Sequence, residues 1–197
     1  MKKVNNRQGK NETFRASVLK KQRLPLLFDK YLKIARSSAN PVKIAMKLAI
    51  AGNIIDFGPD HKFNAEEKIN SVLQSDLKID DSDELFRNIK QAKKILYLAD
   101  NAGEIVMDKL FIRILNHSGL KVAVRGKPVL NDVVLEDAEY VGLDKIAPII
   151  ENGSDIPSTV PHLCSEEFNR EFENADVIIS KGQGNLEGLL NYRDKNI

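Results

Sequence analysis

Four short polar stretches, each directly after an apolar run, hold most of the side chains in this chain that could do chemistry. They are Asp100-Asn101-Ala-Gly-Glu104, Arg125-Gly-Lys127-Pro-Val-Leu-Asn131-Asp132, Glu151-Asn152-Gly-Ser154-Asp155 and Lys181-Gly182-Gln-Gly184-Asn185. Asp100, Asn101 and Asp132 offer two carboxylates and an amide carbonyl, hard oxygen donors suited to Mg²⁺ or Mn²⁺. Lys181 opens a Gly-x-Gly stretch running from Gly182 towards Asn185, where free backbone N–H groups at a helix start and a lysine point charge would draw a phosphate. Ser154 could hydrogen-bond a ligand or simply make a turn. Plainer alternatives stand beside each: Asn101 to Glu104 is near the capping-box spacing, Asp132 fits a helix N-terminal acid, and a Gly-x-Gly can be an ordinary turn.

Several other chemistries find no support. His61, His117 and His162 are scattered and Cys164 is the single cysteine, which argues against zinc and excludes an intrachain disulfide. His117, near a helix end, is expected to be solvated or paired with the helix dipole. No Gly-x-Ser-x-Gly elbow is present. In Gly182-Gln-Gly184-Asn-Leu-Glu-Gly188 the third glycine comes one residue late for a dinucleotide fingerprint, and the acid expected about twenty residues on would fall past the last residue.

The elements that must position these residues alternate after Lys94. Strands are predicted at Ile95–Ala99, Lys121–Val124, Ile146–Ile150 and Asp176–Ser180. Helices are predicted at Glu104–His117, Leu130–Val141 and Ser165–Asn174, with a last start at Asn185. Such alternation predicts a parallel sheet flanked by helices, with the carboxyl ends of all strands, and therefore all four polar stretches, on one rim.

Upstream the pattern is helical. Residues 1–12 are polar and expected to fray, and residues 13–91 read as an all-helical domain ahead of an α/β domain at 92–197. Asn40 should cap a helix with Pro41 at its first position, and Asn64 to Glu67 and Asp81 to Glu84 match capping boxes. Within Gly52-Asn53-Ile-Ile-Asp56-Phe-Gly58, Asn53 and Asp56 interrupt an apolar stretch, so each should be hydrogen-bonded or line a pocket.

Composition sets broad limits. The 197 residues are 42% hydrophobic and 29% charged with a formal net charge of +2, and much of the basic excess lies in the first ten residues, which gives no nucleic-acid stripe. No apolar run is long enough to span a bilayer and no signal-peptide h-region follows the basic start, so the protein is expected to be soluble and cytoplasmic, without nucleic-acid or membrane partners.

The motifs DNAGE, KPVLNDV, NGS and KGQGN, in that order after AGNIIDFG, resemble those of the metal-dependent damage-control phosphatases, a family once catalogued as a domain of unknown function. The resemblance runs from about residue 20 to the end. It implies a helical N-terminal domain on a Rossmann-like α/β domain, and hydrolysis of small phosphorylated metabolites such as sugar phosphates or damaged metabolite phosphates. By motif position it makes Asp100, Asn101 and Asp132 the ligands of a divalent metal, whether Mg²⁺, Mn²⁺ or another first-row ion such as Co²⁺ or Ni²⁺. It makes Lys181 the phosphate holder, with Asn53, Asp56, Glu104, Ser154, Gly182 and Asn185 lining the substrate pocket. Two departures stand out: there is no Cys-x-x-Cys near the start, and Asn191–Ile197 falls where relatives continue, so the α/β domain is expected to be incomplete at its C-terminus.

The expected reaction is metal-assisted phosphoryl transfer to water, with Asp100 and Lys181 catalytic. Asp100 either orients the water or acts as nucleophile. A haloacid-dehalogenase route would want a second acid two residues on, and that position is Ala102. The rival readings are a nucleotide-binding dehydrogenase or methyltransferase of the same fold, and a non-catalytic metal-binding or interaction remnant.

Overall fold

The computed structural model describes residues 24–55 and 65–197. The fraying expected of residues 1–12, the role given to Asp56, and the cap assigned to Asn64 lie outside the described residues.

Four helices come first: α1 (Leu24–Ser37), α2 (Pro41–Ile55), α3 (Ala65–Gln74) and α4 (Ser82–Gln91). In α1 the buried residues Leu27, Phe28, Tyr31, Leu32 and Ala35 recur every three or four positions and form one face. Asn40 caps α2 as expected, its Oδ1 accepting the Lys43 N–H at 3.1 Å. The box expected at Asp81–Glu84 does not form: Asp81 makes no side-chain cap, and Asp80 Oδ1 takes the Ser82 N–H instead, at 3.2 Å.

The strands β1 (Ile95–Leu98), β2 (Leu120–Val124), β3 (Ile149–Glu151) and β4 (Val177–Ser180) form one parallel sheet in the order β3-β2-β1-β4. Between them run α5 (Ile105–Leu115), α6 (Leu135–Tyr140), a 3₁₀ turn (Pro161–Leu163) and α7 (Glu166–Asn174), and α8 (Gly182–Leu189) follows β4. The period of two along each strand divides the core. Ile95, Tyr97, Leu120, Val122, Val124 and Val177 join the face covered by α1, α2 and α5, whereas Leu96, Leu98, Ala123 and Ile178 pack on Phe168 and Phe172 of α7 and Leu189 of α8. The first cluster runs without a break from the helical region into the sheet, and α2 packs extensively along α5.

Three spans differ from the sequence reading, and two of them shape the site. The helix expected from Leu130 begins only at Leu135, because the residues before it pair with strand tips: Asn131 O accepts from Ala102 N (2.8 Å), Val133 N donates to Asp100 O (2.8 Å), and Val133 O accepts from Arg125 N (2.9 Å). Leu130 takes a left-handed φ of 46° to enter this detour. The last helix starts at Gly182 rather than Asn185, so the Gly-x-Gly is its first turn and not a loop before it. Strand β3 starts at Ile149 rather than Ile146, since Ile146 and Ala147 lie in a turn bonded back to Leu143.

Candidate active site at the carboxyl ends of the strands

The chain passes from β1 outward to β2 and β3, then crosses back to place β4 on the other side of β1. Neighbouring connections at β1 and β4 therefore leave in opposite directions, and the crevice at their carboxyl ends is where an open parallel sheet has room for a ligand. Asp100, Asn101 and Glu104 come from the β1 tip, and Lys181, Gly182 and Asn185 from the β4 tip.

The detour before α6 brings the third expected ligand to the same place. Asn101 and Asp132 form an isolated antiparallel bridge, so their backbones are adjacent although 31 positions separate them. Asp100, Asn101 and Asp132 are all buried to within 9% exposure. Asn101 Nδ2 donates to Asp100 Oδ2 at 3.0 Å and to Glu104 Oε1 at 3.1 Å, which occupies both amide protons and orients the amide. Glu104 Oε1 also accepts the Asn101 backbone N–H at 3.2 Å, one half of the capping box weighed from the sequence, while Glu104 itself is the residue that starts α5.

Lys181 is not a free cation at the rim. Its Nζ donates to Glu104 Oε2 at 2.5 Å, to Asp108 Oδ1 at 2.7 Å and to the Ala49 carbonyl at 3.1 Å, so all three protons are engaged. Burial opposes its charge, but Asp108 and Glu104 outweigh that and hold its pKa above the ordinary lysine value. Lys181 thus neutralises neighbouring carboxylates here, and to hold a phosphate as well it must exchange one of these partners.

Arg125, Asp108, Thr159 and Tyr97 were not singled out from the sequence. Arg125, 2% exposed at the end of β2, donates through Nε to Asp132 Oδ2 at 2.6 Å, through one terminal nitrogen to Thr159 Oγ1 and through the other to Asn185 Oδ1, both at 2.9 Å. Asn185 Nδ2 reaches the Ala99 and Lys181 carbonyls at 3.1 and 2.7 Å. One guanidinium and one amide therefore tie the β1, β2 and β4 tips to the segment that follows β3. Asp108 is fully buried; Tyr97 Oη donates to its Oδ1 at 2.7 Å, and its Oδ2 has no hydrogen-bond partner among the described residues. Desolvation first and Glu104 second push the Asp108 carboxyl up to about 6 against the pull of Lys181.

The other expected pocket residues lie less centrally. Gly52 packs on Glu104, a Cβ built there meeting Glu104 Cβ at 3.0 Å, which places the neighbouring half-buried Asn53 at the end of α2 that faces this cluster. Ser154 is buried, but its surroundings are those of a turn: its N–H donates to Asn152 Oδ1 at 2.9 Å, and Gly126 N–H reaches the same oxygen at 3.1 Å. Asn152, rather than Ser154, links the β2 and β3 tips. Gly182 has φ +79°, and a Cβ there would lie 1.9 Å from Asp100 Oδ2, so the Asp100 carboxylate rests against the first turn of α8 because this residue has no side chain. His117 is half-buried and sits at a helix end, that of α4, whose C-cap is Ala92. Gly119 N–H donates to its Nδ1 at 3.1 Å, so its Nε2 carries the proton and donates to Ala92 O at 3.0 Å.

The cluster is rich in acids: Asp100, Glu104, Asp108 and Asp132 are all buried, and among the described residues Arg125 and Lys181 are ion-paired with members of it. The Asp100 carboxyl is raised to about 7 by burial first and then by Glu104 and Asp132, against Arg125 and Lys181. The oxygen donors of Asp100, Asn101 and Asp132 suit a hard ion. Among the described residues no three His, Cys, Asp or Glu side chains form a metal-binding group by themselves. Such an ion would therefore rest on two carboxylates, the Asn101 carbonyl oxygen and non-protein oxygens, as Mg²⁺-type ions commonly do. No described helix is long and apolar enough to cross a membrane.

Comparison with known proteins agrees with this architecture. A family model described as the damage-control phosphatase ARMT1-like domain matches residues 8–197. An uncharacterized protein of Methanocaldococcus jannaschii is 39% identical over 203 residues, covering 99% of this chain and 66% of its own length. A damage-control phosphatase of Pyrococcus horikoshii is 42% identical over 159 residues, covering 79% of this chain and 55% of its own. The crystal structure of a DUF89 family protein from Pyrococcus horikoshii shares the fold with a TM-score of 0.75 at 36% identity, covering 90% of this chain and 63% of that one. The chain spans between about half and two thirds of the length of these relatives. The extent of the family match and the level of identity to its relatives place the chain in the damage-control phosphatase ARMT1-like family.

Proposed function

We propose that this chain carries the metal and phosphate site of a phosphatase acting on small phosphorylated metabolites, sugar phosphates or damaged metabolite phosphates among them. The observation that supports the reading is the convergence of four buried acids, Asp100, Glu104, Asp108 and Asp132, on the β1/β4 crevice beside Arg125 and Lys181, with Asp100 raised to about 7 by burial and then by Glu104 and Asp132. Asp100, Asn101 and Asp132 would hold the ion, Mg²⁺ or Mn²⁺ by donor type, with Co²⁺ or Ni²⁺ as other first-row occupants. When bound, the ion supplies positive charge against the phosphoryl oxygens.

The chain's own groups do the rest. Arg125 holds Asp132 Oδ2, so the carboxylate is presented in one orientation, and Asn101 is fixed by Asp100 and Glu104 with its carbonyl oxygen left for the ion. The first turn of α8, beginning at Gly182 against Asp100, offers backbone N–H groups and the positive end of a helix to the substrate phosphate. Lys181, beside that turn, adds its charge once it exchanges a partner for a phosphate oxygen. Asp100, at the rim beside the ion and the first turn of α8, is the carboxylate placed to orient water and accept its proton.

The test is phosphate release by the purified chain from p-nitrophenyl phosphate and a panel of sugar phosphates across Mg²⁺, Mn²⁺, Co²⁺ and Ni²⁺. Asp132→Ala and Asp100→Asn should each lose at least about 100-fold in turnover. Metal-dependent release that survives Asp100→Asn removes that residue from the reaction. A chain that binds Mn²⁺ yet releases phosphate from nothing is a non-catalytic metal-binding module.

A further inference from the structure

We propose that Asp108, seated by Tyr97, is a positioning residue that fixes the Lys181 ammonium at the β1/β4 crevice; the inference rests on the phosphatase reading above. Three separate elements converge on that ammonium: Ala49 O from α2, Glu104 and Asp108 from α5, and Lys181 itself from the β4 tip. Glu104 and Asp108 are four residues apart, so both reach the same face of α5 at its start. Glu104 already serves Asn101 through Oε1 and gives Lys181 only Oε2. Among the described residues, the polar bonds of Asp108 go to Lys181 and a tyrosine alone.

The geometry at Asp108 is asymmetric. Oδ1 accepts from both Tyr97 Oη and Lys181 Nζ at 2.7 Å, while the buried Oδ2 has no hydrogen-bond partner among the described residues. A carboxylate kept only to balance a buried charge would gain by turning both oxygens to donors, so the tyrosine decides which oxygen faces the lysine. Tyr97 is itself immobilised, fully buried and edge-on to Phe111 with ring centroids 6.5 Å apart. Of the acceptors on Lys181, the Ala49 carbonyl is the longest and the uncharged one, and it is the partner a phosphate oxygen can displace. Glu104 and Asp108 then keep the ammonium from following the phosphate out of register.

The experiment compares the wild-type chain with Tyr97→Phe and Asp108→Asn, using p-nitrophenyl phosphate with Mn²⁺, Mn²⁺ binding by calorimetry, and labelling of lysines by acetic anhydride read by mass spectrometry. Mn²⁺ affinity should stay within about threefold in both variants, since the proposed ligands are untouched. Turnover should fall about tenfold in Tyr97→Phe and about 100-fold in Asp108→Asn, mainly in kcat, as for a displaced catalytic group. Lys181 labelling should rise several-fold in both while that of half-buried Lys109 and surface Lys121 stays constant, a selectivity that general loosening would not produce. Unchanged Lys181 labelling and unchanged kcat in both variants overturn the proposal. A wild-type chain that releases no phosphate defeats the phosphatase reading instead, and labelling then decides the positioning alone. If Asp108→Asn does not fold, Tyr97→Phe, which removes one hydroxyl, carries the test.

Discussion

The two ends of the parallel sheet treat the same residue types in opposite ways. At the amino ends of the strands, Asp176 Oδ2 takes the backbone N–H groups of Lys93 and Lys94 at 2.7 and 2.9 Å, and these bonds hold its carboxyl below the usual range. His117 likewise joins two backbone groups, Ala92 O and Gly119 N–H. At the carboxyl ends, Asp100 is pushed the other way, to about 7, by its burial first and then by its acidic neighbours Glu104 and Asp132. Polar side chains at the first end answer to the backbone and are satisfied by it. Those at the second answer to one another, and acids crowded together with a strongly shifted carboxyl are what functional sites commonly show.

The sharpest way to break this contrast uses two glycines with nearly the same backbone. Gly182 has φ +79° and Gly142 has φ +70°, but a Cβ at Gly182 would meet Asp100 Oδ2 at 1.9 Å, whereas at Gly142 the nearest atom is Lys109 Nζ at 3.7 Å. Both alanine variants incur the left-handed backbone cost of about 1–2 kcal/mol. Only Gly182→Ala must also move the Asp100 carboxylate, so Mn²⁺ affinity should fall about 10- to 100-fold there and stay unchanged in Gly142→Ala. Equal Mn²⁺ affinity in the two variants, read by calorimetry, would show that Asp100 is no ligand.

A smaller effect concerns pH. Asp100 and Asp108 have folded-state pKa values of about 7 and about 6, both above the ordinary carboxylate value, so between pH 4 and 7 the folded chain binds more protons than the unfolded one. Stability from these two groups is therefore fully present below about pH 4 and is lost progressively as pH rises to the folded-state values. The groups at the other end do not oppose this, since the lowered pKa of Asp176 acts only below the ordinary carboxylate range. The metal-free chain should melt higher at pH 5 than at pH 8, and Mn²⁺ should raise the melting temperature more at pH 8, where the carboxylates are ionised. Scanning calorimetry giving the same Mn²⁺ shift at both values would contradict the cluster as a cation site.

What was legible in the sequence was local. Ile95 to Ala99 followed by Asp100-Asn101-Ala-Gly-Glu104 declares a strand and a polar tip without help from the rest of the chain, and the strand-helix alternation declares a parallel sheet. The strand order was not legible, because it depends on which side of β1 the chain returns to, and it is this order that sets the Lys181 tip beside the Asp100 tip. Residues 130–134 look helical by spacing but gain more by pairing with the β1 and β2 tips, a tertiary contact that overrides propensity. Lys181 was legible as a charge but not as an ion-paired one, since its partners lie 77 and 73 residues away. Asp108 left a faint signal: an acid four residues after Glu104 on a helix otherwise apolar along its buried side. Arg125 left a similar one, a guanidinium closing an apolar strand.

The smallest expected effect lies at the satisfied end of the sheet, and it is the control the contrast needs. His117→Ala removes an acceptor for Gly119 N–H and a donor for Ala92 O, two neutral hydrogen bonds at a partly buried position, worth together about 1–2 kcal/mol. Gly119 O also accepts from Ile95 N–H at 3.0 Å, so the loss loosens the entry to β1 at its far end from Asp100. A modest fall in melting temperature should follow, with Mn²⁺ affinity and turnover within twofold of wild type. If instead His117→Ala lowered Mn²⁺ affinity as Gly182→Ala is expected to, the crevice would depend on the whole sheet being intact. The crowding of acids at its carboxyl end would then be a consequence of strand packing and not a local property of the strand tips.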